Sequence, residues 1–76
     1  MLRVDHDLSR NEIEYLIDQF VFSSRYREIL KDRLIEGMTY EMISTRHDLS
    51  VSQVKNIIRK NKENVFRHID RLPKLF

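Results

Sequence analysis

A chain of 76 residues with one Gly, one Pro and no Cys is expected to form one small domain without a disulfide staple. His6, His47 and His68 lie too far apart for zinc-site spacing, no cofactor-binding motif is present, and no apolar run approaches the roughly 20 residues of a membrane span. The formal net charge of +2 hides a gradient: residues 1–24 carry two basic and five acidic residues (−3), residues 25–44 balance, and residues 45–76 carry eight basic against three acidic (+5).

A polyanionic partner would meet the basic half, with the acidic half turned away. The opening MLRVDHDLSR has aspartates where a signal peptide has an apolar stretch. Together with the missing cysteines, this predicts a soluble cytoplasmic protein.

Few β-branched runs and only two breaker residues leave little material for hairpins, so the expected class is all-α. A first helix is predicted from Ser9, where Ser9 and Glu12 make a capping box. Ile13, Leu16, Ile17 and Phe20 form its apolar stripe. Ser23 or Ser24 begins a second helix with Tyr26, Ile29, Leu30 and Leu34 inward, ending at Gly37 in the left-handed conformation. Arg25, Arg27 and Arg33 on this helix are expected to be solvated and paired with Glu28, Asp32 and Glu36 at helical spacing.

Thr39 can cap a short third helix, about Tyr40 to Arg46, that carries Ile43. Ser44 is small where this helix must pass its successor, and Asp48 tolerates the left-handed turn better than most residues. Ser50 opens a fourth helix bearing Val54, Ile57 and Ile58, with Gln53 completing a second capping box. Two short helices joined by so tight a turn must meet steeply, which is how a helix-turn-helix presents side chains to the DNA major groove. Beyond Ile58 the pattern leaves two readings open. Either Asn61 breaks the helix and a fifth carries Val65, Phe66, Ile69 and Leu72 up to Pro73, or one long helix runs through Asn61. The expected architecture is thus a single domain over residues 1–76, with four to five helices containing a helix-turn-helix.

The stretch from Tyr26 to about Arg67, YREILKDRLIEGMTYEMISTRHDLSVSQVKNIIRKNKENVFR, resembles region four of the major bacterial sigma factors and related phage regulators. It covers more than half the chain. The charge count and the stripe after Ser9 make residues 1–24 an acidic N-terminal helix, and the resemblance implies that residues 25–72 form a tri-helical unit with a basic C-terminal helix. Small DNA-recognition domains of phage terminases and transposases share much of the pattern. The chain departs from it where Asp48 replaces the usual turn Gly, implying a slightly strained turn. It departs again where His47 replaces an apolar residue, implying a lost core contact.

The resemblance places base contacts at Val51, Ser52, Gln53, Lys55 and Asn56. Gln and Asn suit adenine N6 and N7, Lys suits guanine O6 and N7, and Val can pack on a thymine methyl. Gln53 has a competing role, because folding back to complete the capping box withdraws it from the groove. Thr39, Arg46, Ser50, Arg59 and Lys60 suit phosphates, which position a protein without reading sequence.

Other groupings read as structural. Glu12, Glu14 and Asp18 are paired carboxylates with no pocket-forming loop, expected as surface solvation or as a contact for a basic patch on another protein. His68 is expected as a packed or surface residue. His47 beside Asp48 lacks a nucleophile placed by any motif, and no Gly-rich phosphate loop exists, so no enzyme is expected. Tyr15, Phe20, Phe22, Tyr26 and Phe66 are spaced like core. Val21, Phe22, Leu75 and Phe76 are surplus apolar residues that either cover the core, the favoured reading, or meet a second chain.

The leading expectation is a sequence-specific transcriptional regulator that binds double-stranded DNA, working as a dimer or in a larger assembly that includes RNA polymerase. The alternatives are a phage or mobile-element interaction module that binds RNA polymerase or another nucleic-acid enzyme, and a DNA-recognition subunit of a terminase or recombinase.

Overall fold

A computed structural model of the chain describes residues 8–72. It contains the helices α1 (Arg10–Phe20), α2 (Ser24–Leu34), α3 (Tyr40–His47) and α4 (Val51–Phe66), then a 3-10 turn (Ile69–Arg71), with no strand among the described residues. Every α-helix opens on a hydroxyl that accepts an otherwise unpaired amide of the first turn. Ser9 accepts from Glu12 at 3.2 Å, Ser23 from Tyr26 at 3.2 Å, Thr39 from Met42 at 3.1 Å and Ser50 from Gln53 at 3.1 Å. Glu12 and Gln53 return the bond to their cap residues' amides, each at 2.9 Å, so both capping boxes are complete.

Helix ends are equally local. Regular helix in α2 stops at Leu34, three residues before the predicted end. The chain unwinds through Gly37 at φ 70, while the Glu36 and Met38 amides still reach back to the Lys31 and Asp32 carbonyls at 3.1 and 3.0 Å. Helix α3 ends one residue later than predicted, at His47, and Asp48 takes the left-handed conformation (φ 57, ψ 49) that the turn requires.

The core draws on every α-helix: Leu16 and Ile17 from α1, Ile29 and Leu30 from α2, Ile43 from α3, and Val54, Ile58 and Val65 from α4, with Val21 between α1 and α2. Helix α4 packs on all three others. It runs unbroken through Asn61, whose side-chain amide donates to the Ile57 carbonyl at 2.8 Å along its own helix. No fifth α-helix forms among the described residues. Ile69 and Leu72 instead pack against the core from the 3-10 turn, and His68 stacks on Phe20 with ring centroids 3.9 Å apart.

Two of the aromatics expected inside are outside. Phe22 is 83% exposed and Tyr26 faces solvent, whereas the neighbouring Val21 is buried. The chain between α1 and α2 is extended at Val21, so Val21 and Phe22 point opposite ways and only one can enter the core. Pro73, Leu75 and Phe76 lie outside the described residues.

The α2 arginines do not make the ion pairs expected of them. Arg27 donates to the Val21 carbonyl and to the Asp18 carbonyl in the last turn of α1. Arg25 donates to the His47 carbonyl at the end of α3, and Arg33 to the Met38 carbonyl at 2.8 Å. Carbonyls at helix ends lack intrahelical partners and carry the negative end of the dipole, so a guanidinium from a neighbouring helix satisfies both. Through Arg27 and Arg25, α2 thereby ties down the ends of α1 and α3, while Arg33 holds the loop that leads into α3. Glu36 pairs with Arg10 at 3.0 Å, and Asp18 with Lys31 at 2.9 Å.

Asp32 is buried, with its Oδ2 2.9 Å from His47 Nε2 and 3.4 Å from Arg46 Nε. The two side chains share one hydrogen bond across the α2–α3 junction. His47 therefore keeps its interior place through a polar pair between α2 and α3, where an apolar contact was expected to be lost. No buried side-chain nitrogen or oxygen among the described residues lacks a hydrogen-bond partner.

Candidate nucleic-acid interface

The turn between α3 and α4 is three residues long, Asp48 to Ser50. The Asp48 and Leu49 amides both return to the Ser44 carbonyl, Leu49 at 3.0 Å, and close α3. Leu49 and Val54 then flank the Ser50 cap at the positions of a hydrophobic staple, Val54 buried in the core and Leu49 half-buried against it. These local bonds fix where α4 starts. The packing of Val54, Ile58 and Val65 fixes which side of it faces out.

That outward side carries Ser52, Gln53, Lys55, Asn56, Arg59 and Lys60, all exposed, with Val51 half-buried at the start. No acidic residue occurs from Val51 to Lys62, and Glu63 is the first in the helix. The expected base-contact and phosphate-contact residues of α4 thus share one accessible surface, and Thr39 and Arg46 are exposed on the adjoining α3 segment.

Several of these side chains are already engaged, which changes what each can offer. The Gln53 side-chain oxygen accepts the Ser50 amide, so it cannot at the same moment complete the two-pronged contact to adenine. Asn56 Oδ1 accepts from Arg59 Nη2 at 3.0 Å, an exposed bond that is cheap to exchange for a base. Thr39 and Ser50 spend a lone pair on capping and keep a hydroxyl proton to donate to a phosphate. Arg46 lies against Asp32, which offsets part of its charge. Ser52 and Lys60 are exposed.

Reasoning from the sequence missed one cluster. Arg33 lies over the Tyr40 ring at 4.3 Å, and Lys55 Nζ is 5.5 Å from the same ring. The phenol thus joins the end of α2, the start of α3 and α4, within the range of a cation–π contact. The signal was faint: an aromatic directly after an N-cap reads as ordinary first-turn filler.

Among the described residues, no group of three or more His, Asp and Glu side chains converges to hold a metal ion, and no helix is long and apolar enough to cross a membrane. Comparison with protein-family models, curated proteins and solved structures finds no match to this chain.

Proposed function

We propose that this chain is a sequence-specific double-stranded DNA-binding protein that reads the major groove with α4, and that it acts as a cytoplasmic transcriptional regulator of the bacterial or phage kind. The observation that carries this reading is the exposed, acid-free surface from Ser52 to Lys60 on a helix set by a capped three-residue turn. Ser52, Lys55 and Asn56 serve as base contacts, with Val51 against a thymine methyl. Arg59, Lys60, Ser50 and Thr39 hold phosphates, and Arg46 joins them where it can leave Asp32. Gln53 is assigned first to its helix cap.

One such helix reads only a few base pairs, so useful affinity calls for a second copy on a neighbouring half-site or for a larger assembly such as RNA polymerase. The test is a pair of variants measured against a library of random duplexes. Lys55→Ala is expected to change the selected base at one position. Arg59→Ala is expected to weaken all duplexes alike and to reduce the salt dependence by about one phosphate contact. Equal, sequence-blind losses from both variants would refute the base-reading role.

A further inference from the structure

Beside the exposed surface of α4 runs an open groove between that helix and the end of α2. Its floor is apolar, made of Leu34, Ile58 and Phe66, with the Tyr40 ring near the Lys55 end. Its rim is cationic. Lys55, Arg59 and Lys62 follow one side of α4 at spacings of four and three residues, Arg33 faces them from α2, and Arg67 lies at the far end. Glu63 is the one acid along it. From Lys55 to Arg67 the helix rises about 18 Å, the length of a twelve-residue helical segment.

We infer that this groove takes an acidic amphipathic helix from a partner protein, apolar side down on Leu34, Ile58 and Phe66 and carboxylates up against the rim. A duplex would satisfy the rim, but its phosphates would leave the apolar floor without a matching surface, whereas an amphipathic helix matches both. A second copy of this chain does not supply the occupant: its own acidic helix, α1, has Leu16 and Ile17 fully buried in its own core. Because Lys55, Asn56 and Arg59 also line the groove, an occupant there covers side chains assigned to DNA. Partner and duplex are therefore mutually exclusive, and the partner is an inhibitor of DNA binding. That consequence alone rests on the DNA-reading proposal.

The probe is a fluorescein-labelled synthetic helical peptide of 14 residues, roughly four turns. It carries leucines at three- and four-residue spacing and glutamates elsewhere, and its control is a peptide of the same composition with the leucines spread around the helix. The patterned peptide is expected to bind ~10-fold more tightly than the control, with amide shifts concentrated at Leu34, Tyr40, Ile58 and Phe66. Phe66→Ala is expected to weaken it by ~10-fold. Should that variant fail to fold, Arg67→Gln, at an exposed position, is expected to weaken it about threefold. Equal binding of both peptides, or shifts centred elsewhere, would overturn the inference. An unlabelled duplex is expected to displace the patterned peptide, and a ternary complex would overturn the exclusion. A chain that takes the patterned peptide at the groove but binds no duplex keeps the groove and overturns the DNA reading alone.

Discussion

Removing the Asp32 carboxylate tests how the α2–α3 junction is held. Asp32 is 6% exposed and its nearest partner, His47 Nε2, sits on a side chain that is 7% exposed. In Asp32→Ala the histidine keeps a buried polar nitrogen without its partner, which costs about 1–3 kcal/mol. The substitution also leaves space where the carboxylate packed, so the expected loss is about 2–3 kcal/mol. A domain of this size has about 4–11 kcal/mol in total, so the loss is large. At roughly 4–8 °C per kcal/mol, the melting temperature should fall by about 10–20 °C.

Asp32→Asn keeps shape and an acceptor oxygen and should lose about 1 kcal/mol. The assay is urea and thermal unfolding followed by circular dichroism, with Asp32→Ala, His47→Ala and the double variant forming a cycle. The double variant is expected to be clearly more stable than the sum of the two single losses implies. Strict additivity, or a loss under about 0.5 kcal/mol for Asp32→Ala, would mean the pair contributes nothing and would refute the reasoning.

Asp48→Gly relieves a left-handed non-glycine residue at φ 57 but loosens the unfolded chain, so a net gain of about 0.5 kcal/mol in the same assay is expected. Asp48→Val should be destabilised by more than about 1 kcal/mol, because a branched side chain resists that conformation. Ser50→Ala removes the cap of α4 and should cost about 1 kcal/mol. The companion Gln53→Ala should cost less, since the Ser50 hydroxyl still accepts the amide at position 53.

The helix starts were legible in the sequence because capping is chemistry between residues three apart. Ser9, Thr39 and Ser50 announce themselves with no knowledge of the rest of the fold. Continuity through Asn61 was not legible, since an asparagine breaks a helix or continues it according to where its side chain bonds, and here it turns back to Ile57. The arginines of α2 were misread because neighbouring acids at helical spacing looked like partners. Their actual acceptors are backbone carbonyls on other segments, which no side-chain pattern records.

Asp32 and His47 were within reach. A polar residue next to the apolar run of α2, and a second one where the resemblance calls for an apolar side chain, are best explained as each other's partner. Fifteen residues of separation hid the pair. For the candidate interface, exposure on α4 followed from periodicity. The prior engagement of Gln53, Asn56 and Arg46 needed coordinates, because each has several partners within reach.

A fluorescence-anisotropy titration of duplex DNA at several salt concentrations decides whether α4 engages a duplex. Arg59 and Lys60, with or without Arg46, predict that the logarithm of affinity falls with the logarithm of salt at a slope between about −2 and −3. A sequence selected from a random pool should bind well above that background. No binding at low salt, or binding whose slope is near zero, would contradict the assignment of α4 to the major groove.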